Sequence, residues 1–170
     1  VFWNKTYEPA QEKIDGIVKN LLEDRGVSVK ISNGNVLFPL ESVKKDDGSP
    51  FKVFTPFYRK GCLLNSVQPV VPESAKSAPT LMKKSGLSIN DLELFPDKDW
   101  YKSIALEWSP GEQGAKARLD AFLEKGVTDY KDGRNFPAKK SVSRLSPHLK
   151  FGEISPARIW HSILNLKDSG

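Results

Sequence analysis

The residues from 143 to 156 carry the groups that a phosphate-binding loop needs. Ser143 and Ser146 supply two hydroxyls, Arg144 supplies a guanidinium, and closely spaced backbone N–H donors accompany them. Hydroxyls and amides can surround phosphate oxygens, and a helix that begins nearby adds partial positive charge. Serine-rich loops before helices also often do no more than cap the helix, so the local pattern leaves both interpretations open.

Motifs before this loop make the pattern more specific. Asp129-Tyr130 and the run Arg134-Asn135-Phe136-Pro137-Ala138 precede it, and residues 129–156 together closely resemble the start of the flavin-binding domain of the DNA photolyase/cryptochrome family. Three further segments resemble motifs of that family, in family order. They are residues 1–9 (a strand and turn late in its α/β domain), 51–59 (its Lys-Val-Phe-Thr-Pro-Phe signature) and 108–112 (the entry to its helical domain).

The resemblance implies a fold in two parts. An α/β part, an incomplete Rossmann-like parallel sheet, is joined by a long linker to the start of an all-α FAD-binding domain. We expect residues 1–62 to be the C-terminal part of the α/β, antenna-binding domain, 63–107 the linker, and 108–170 the N-terminal part of the helical domain. Family members are much longer, so the sequence is expected to be an internal fragment that is inactive and binds FAD poorly on its own.

Hydrophobic periodicity supports this division. Apolar residues at helical spacing follow Pro9 as far as Gly26, and the strand-like segment 27–31 comes next, which predicts a βαβ unit with parallel strands. Periodicity fades between 65 and 107, where prolines recur, as is typical of an interdomain connection. Helical spacing returns from Gly111 to Lys125, and Ser155-Pro156 is predicted to cap and open a last helix.

The function implied by the resemblance is that of a deoxyribodipyrimidine photo-lyase of class I, acting on cyclobutane pyrimidine dimers in damaged DNA. In this reaction light-excited reduced FAD donates an electron to a dimer flipped out of the duplex, and the electron returns after the ring has split. The cofactor carries the chemistry, so no catalytic side chain is expected in this chain. Two alternatives remain: a cryptochrome-type blue-light photoreceptor without repair activity, and a piece that only binds or scaffolds, against which the four ordered motifs argue.

Site residues follow from the same resemblance, residue by residue. Arg134 matches a residue on the DNA-binding surface, although an ion pair with Asp129 or Asp132 is an equal alternative. Val142 stands where the family often has threonine, which removes one hydroxyl. Tyr130 is alternatively a half-buried packing residue. The residues that match the family's FAD contacts are Tyr130, Val142, Ser143, Arg144, Leu145 and Ser146.

Other candidates are given structural roles. We interpret His148 as a satisfied structural histidine, Glu153 as part of a capping arrangement, and the four tryptophans as core or interface aromatics. An antenna chromophore of folate or deazaflavin type stays open. Where folate-using relatives carry an Asn-Glu pair, this sequence has Ala10 and Gln11, and a polar helix residue is the preferred interpretation of Gln11.

Composition excludes several classes of protein. Hydrophobic residues make up 38% and charged residues 28%, which is typical of a globular protein rather than a disordered one. No apolar run reaches the roughly 20 residues of a membrane span. The lone Cys62 fits a reducing, cytoplasmic compartment, and with two histidines no zinc pattern can be assembled, so no metal is expected. The net charge of +5 is compatible with DNA, and a monomer is expected.

Overall fold

The computed structural model describes residues 1–68, 86–88, 90–95 and 98–168. Its N-terminal part is a βαβ unit made of strand β1 (Phe2–Asn4), helix α1 (Pro9–Glu23) and strand β2 (Lys30–Ser32). The two strands pair in parallel, with Trp3 opposite Ile31. Pro9 suits the first position of α1 because its missing N–H would have no partner there. The predicted order of strand, helix and parallel strand is therefore confirmed, although β2 begins at Lys30 rather than at residue 27.

Helix α1 presents an apolar stripe that this unit does not bury. Ile14 and Ile17 each keep 53% of their surface exposed, and α1 contains no buried residue. Gly26 follows the helix with φ of 73°, a left-handed conformation that glycine adopts without steric cost. The predicted end of the helix is confirmed.

The Lys-Val-Phe-Thr-Pro-Phe signature forms a short helical segment. Helix α2 (Phe54–Pro56) continues directly as a π-helical turn (Phe57–Cys62). A 3-10 turn precedes it at Leu40–Ser42. Gly61 lies against Val43 and Phe51, where a Cβ atom would come within 2.6 Å of the Val43 Cγ1 atom.

Much of the predicted linker lies outside the described residues, namely 69–85, 89 and 96–97. Its described part contains 3-10 turns at Asn90–Leu92 and Asp99–Tyr101 and the short helix α3 (Lys102–Glu107). Sequence periodicity did not predict α3, and none of its residues is buried. The division into domains at 62 and 107 stays a prediction.

The helical part contains the hydrophobic core of the described residues. Helix α4 (Glu112–Ala121) continues as a π-helical turn (Phe122–Gly126), and α5 (Tyr130–Gly133), α6 (Ser146–Lys150) and α7 (Pro156–Asp168) follow. The predicted apolar face of α4 is confirmed. The core is built from Ala115, Leu119, Leu145 and Ile154, with Leu123 and Ile159 packed against it. Leu145 thus fixes the candidate phosphate loop to helix α4.

Ser155 caps α7 as predicted. Its Oγ accepts a hydrogen bond from the backbone N–H of Arg158 at 3.2 Å, and Pro156 begins the helix. This cap satisfies a backbone donor that has no partner inside the helix. Within the described part of the chain, none of the helices has both the length and the apolar character that crossing a membrane requires.

The cap gives a first testable expectation. Ser155→Ala should lower the free energy of unfolding by about 1 kcal/mol, since the Arg158 N–H loses its acceptor. Urea unfolding measures the loss, and Ser155→Asp, which retains a capping oxygen, serves as the matched control. Equal stability of Ser155→Ala and the unmodified protein would show that the hydrogen bond contributes nothing.

Candidate cofactor-binding site

The loop between α5 and α6 is anchored on both sides of its candidate ligand-binding residues. Ser141 keeps 5% of its surface exposed and Leu145 keeps 2%, so both side chains are buried. Between them Val142 and Arg144 are exposed and Ser143 is half-buried. Arg144 has φ of 51°, a conformation that costs energy for a residue with a Cβ and that is found more often at functional sites.

These three residues border a cavity of about 250 Å³. Its opposite wall comes from α4 and the π-helical turn that continues it. The lining residues are Glu107, Arg118, Ala121, Phe122, Lys125, Lys140, Val142, Ser143 and Arg144. The structure therefore brings Val142, Ser143 and Arg144 of the predicted cofactor contacts together at one site.

The cavity has the electrostatics of an anion site. Four cationic side chains line it, and a single carboxylate, Glu107, opposes them. Arg118 is held in place because its Nη2 donates to the Glu107 carbonyl oxygen at 2.7 Å. A guanidinium fixed in this way can donate two parallel hydrogen bonds to a phosphate. The cavity is thus suited to an anion with several oxygens.

The size of the cavity decides which part of a cofactor it fits. Pockets that hold whole small molecules usually have about 300–1,000 Å³, so 250 Å³ is too small for a dinucleotide. The donor set of one hydroxyl, two guanidiniums and two ammoniums matches the chemistry of a diphosphate. The residues present therefore fit the phosphate part of FAD.

Sequence reasoning missed Arg118, Lys125 and Lys140. Arg118, Ala121, Phe122 and Lys125 follow one another at i, i+3, i+4 and i+7, which places them on one helix face. The sequence alone could have predicted that these two cations share a helix face with small and apolar residues. It could not have predicted that this face lies opposite Ser143, because that depends on how α4 packs against Leu145.

Tyr130 lies beside the cavity without lining it. Its ring meets Phe122, which does line the cavity, edge to face at 5.9 Å between centroids. Tyr130 keeps 41% of its surface exposed, so a ligand can still reach it. Its role as a cofactor contact stays a prediction, and its packing on Phe122 agrees with the alternative interpretation.

Arg134 contacts Tyr130. The guanidinium carbon of Arg134 lies 5.7 Å from the centroid of the Tyr130 ring, within the range of a cation–π interaction. One of its two alternative partners, Asp129, forms an ion pair with Lys139 at 3.3 Å. The assignment of Arg134 to DNA stays a prediction.

The structure limits what Leu145 and Ser146 can contribute. The buried side chain of Leu145 belongs to the core, so only its backbone can meet a cofactor. Ser146 is exposed at the start of α6 and is not part of the cavity lining. Helix α6 spans only Ser146–Lys150, which makes the expected partial charge at its N-terminus small.

A partly buried hydrogen bond fastens the start of the loop to the residue that precedes α5. The Ser141 hydroxyl donates to Asp129 Oδ2 at 2.8 Å, and Gly133 packs against both side chains with no room for a Cβ atom. The Ser141 hydroxyl and then the Lys139 ammonium lower the pKa of Asp129 below its ordinary value. The charged carboxylate is therefore the form that holds the loop.

This bond predicts a pH-dependent effect. A carboxylate with a lowered folded-state pKa stabilises the fold at neutral pH, and this stabilisation is lost as the pH falls through that pKa. Ser141→Ala should raise the pKa of Asp129, so we expect it to destabilise the protein at neutral pH and progressively less in acid. NMR titration of the Asp129 carboxyl and urea unfolding at several pH values measure both effects.

Ser49→Ala is the matched control for this variant. Ser49 donates to Asp47 at 2.6 Å in an exposed turn outside the helical part, and the Ser49 hydroxyl likewise lowers the pKa of Asp47. This substitution should move the pKa of Asp47 and leave the loop unchanged. An unchanged Asp129 pKa in Ser141→Ala would contradict the assignment.

The tryptophans differ in how far they are buried. Trp108 contacts His148 and Arg118, whereas Trp100 keeps 65% of its surface exposed and is not a core residue.

The Gln11 amide donates to Asp15 at 2.9 Å along exposed α1, in agreement with a polar helix residue. A separate cavity of about 400 Å³ lies where β1 and β2 end, lined in part by Trp3, Tyr7 and Asn33.

Comparison with known proteins finds photolyases and cryptochromes that are similar to this chain. Residues 1–76 match the family model described as DNA photolyase. A deoxyribodipyrimidine photo-lyase of Agrobacterium fabrum is 38% identical over 170 residues, which cover 98% of this chain and 35% of that protein. Cryptochrome-2 of Arabidopsis thaliana is 32% identical over 166 residues, covering 94% of this chain and 27% of that protein. The crystal structure of a bacterial class III photolyase from Agrobacterium tumefaciens superposes with a TM-score of 0.83 at 37% identity, covering 95% of this chain and 34% of that one.

The predicted resemblance to the DNA photolyase/cryptochrome family is confirmed. The chain is homologous to photolyases and cryptochromes over most of its length. The superposition also confirms the predicted fold class, a partial Rossmann-like sheet joined to helices. The chain spans about a third of the length of the photolyases it matches.

Proposed function

We propose that the whole protein is a photolyase-like flavoprotein that repairs cyclobutane pyrimidine dimers in DNA under light. The observation that carries the proposal is the cationic cavity beside Ser143, in a chain 38% identical to a deoxyribodipyrimidine photo-lyase. The cavity supplies the donors that a flavin diphosphate needs. Because the chain spans about a third of that relative, activity, substrate and partner belong to the whole protein.

The roles of this chain's residues are to bind and to orient. FAD, when bound, supplies the light-driven electron-transfer chemistry. Ser143 and the four cations of the cavity, Arg118, Lys125, Lys140 and Arg144, would hold its phosphates. Tyr130 would add a contact at the edge of the site, and the backbone of the loop would supply further N–H donors. No acid, base or nucleophile of this chain is assigned a step.

A repair assay on the whole protein tests the proposal. Blue light should remove cyclobutane dimers from irradiated DNA in the presence of the protein, and the same mixture kept in the dark should retain them. FAD released by denaturation and identified by its absorbance should accompany the activity. A protein without flavin and without repair would contradict the proposal.

The alternative function is that of a cryptochrome-type photoreceptor without repair activity. The 32% identity to Arabidopsis cryptochrome-2 favours this candidate. Bound FAD, together with an unchanged number of pyrimidine dimers in the DNA after blue light, would select it.

The class I assignment is a further proposal, which the 37% identity to a class III photolyase makes worth testing separately. A monomeric state and a cytoplasmic location complete the proposal.

Arg134 is proposed to contact DNA. Arg134→Ala in the whole protein should weaken binding to dimer-containing DNA and reduce the slope of log affinity against log salt by about 1, as for one lost phosphate contact. FAD content should stay unchanged. Arg25→Ala, at an exposed position just after α1, is the matched control and should leave DNA binding unaltered. Loss of flavin in Arg134→Ala would instead assign this residue to the cofactor.

A second chromophore is proposed for the cavity beside β1 and β2. The Trp3 indole N–H is buried without a hydrogen-bond partner among the described residues, and Trp3 lines this cavity. The Tyr7 hydroxyl donates to Asn33 at 3.3 Å on the same wall. Absorbance of the purified whole protein beyond that of FAD would reveal such a chromophore, and folate and deazaflavin types differ in their spectra.

A further inference from the structure

His148 is a buried titratable group that the proposed function does not use. It lies on α6, two residues after Ser146, and keeps 2% of its surface exposed. Its Nδ1 lies 2.5 Å from Glu153 Oε2, within hydrogen-bonding distance of that carboxylate. A buried imidazole with such a partner is fixed in both position and rotation.

Glu153 connects this pair to two other segments. Its backbone N–H donates to the His148 carbonyl oxygen at 2.9 Å, which closes the turn after α6. The His148 hydrogen bond and then the backbone N–H of Gly111, just before α4, lower the pKa of Glu153. The carboxylate therefore stays charged at neutral pH and links α6 to the start of α4.

The His148 ring also connects to the cationic cavity. It meets Trp108 at 5.8 Å between centroids, and Trp108 also contacts Arg118, whose guanidinium carbon lies 4.7 Å from the centroid of the indole. Arg118 lines the cavity together with Ser143 and Arg144. The pair is thus continuous with both walls: through Trp108 with the α4 wall, and through α6 and the buried Leu145 with the loop wall.

We propose that His148 and Glu153 form a positioning pair that holds residues 142–144 against the Arg118 wall and so sets the affinity of the site for FAD. This inference rests on the proposed function only for the identity of the ligand. Two charged groups lie near His148. Arg118 of α4 lines a second cavity together with His148, separate from the cavity beside Ser143. Glu153, from the turn between α6 and α7, is the hydrogen-bond partner of His148. Neither member of the pair lines the cavity beside Ser143.

The test measures FAD affinity of the whole protein by flavin fluorescence. His148→Phe keeps an aromatic ring but removes the donor to Glu153, and it should lower FAD affinity about tenfold. His148→Asn places an amide N–H near the position of Nδ1 and should recover most of that loss. Equal losses in the two variants would overturn the proposal.

The pH profile separates positioning from general packing. Glu153 has a lowered pKa, so its contribution is present at neutral pH and disappears as the pH falls through that pKa. Wild-type FAD affinity should therefore fall in that acidic window. Glu153→Gln should start lower and show a smaller step, because the Asp129–Ser141 bond, which also holds the loop, still titrates in acid. Leu119→Ala, which weakens the same core without touching the pair, should retain the step. A step of undiminished size in Glu153→Gln would contradict the proposal.

A second measurement does not depend on FAD. Trypsin cleaves after Arg144, so a released loop should be cut faster in His148→Phe than in His148→Asn or Leu119→Ala, compared at equal fractions folded. If the wild-type protein binds no FAD, the proposed function fails, and the cleavage rates still decide the positioning role. If Ser143→Ala weakens FAD binding but His148→Phe changes neither affinity nor cleavage, the positioning role alone fails.

Discussion

Ser143→Ala in the whole protein should weaken FAD binding by about tenfold to a hundredfold. Ser143 borders a cavity with four cations, where a hydrogen bond to a charged phosphate is worth roughly 1.5–3 kcal/mol. Equilibrium binding followed by flavin fluorescence measures the change. Ser103→Ala, on exposed α3 outside the cavity, is the matched control and should retain full affinity.

Other variants of the same cavity refine this expectation. Val142→Thr should keep or raise affinity because it adds a hydroxyl to the lining, and Lys140→Gln should lower affinity and its dependence on salt. Ser146→Ala and Tyr130→Ala test predicted contacts that the cavity does not include. If these two variants lose FAD while Ser143→Ala retains it, the phosphates lie elsewhere and the cavity has another role.

Leu145→Ala should cost about 2–5 kcal/mol of folding stability. Leu145 keeps 2% of its surface exposed among Ala115, Leu119 and Ile154, so truncation leaves a cavity in the core. Because Leu145 is also the anchor of the loop, FAD affinity should fall with stability. Denaturant unfolding of the whole protein, with and without FAD, measures both.

Leu149→Ala is the matched control for the core. Leu149 lies on α6, the short helix that begins directly after Leu145, but it keeps 38% of its surface exposed, so less apolar area is lost. Its effect on stability should be clearly smaller than that of Leu145→Ala. Equal effects would show that the loop is not held by the core described above.

Several features could be predicted from the sequence because their physical cause is local. Pro9 and Gly26 bound α1, Ser155 caps α7, and the apolar spacing from Ala115 to Leu123 marks the buried face of α4. The motifs in residues 129–156 and three other segments likewise predicted the similarity to photolyases and cryptochromes that the comparisons confirm. Short-range capping and periodicity act within about one or two helical turns, so the order of residues determines them.

Only the tertiary structure decided which groups share a site. Arg118 and Lys125 line the same cavity as Ser143 because Leu145 packs into the same core as Leu119. Leu119 and Leu145 are far apart in sequence, so only the folded chain brings them together. The same packing buries the Leu145 side chain, which the sequence resemblance had assigned to the cofactor, and joins His148 to Glu153 and Trp108. Local sequence sets the elements, but the burial of apolar surface between distant segments sets which polar groups face one cavity.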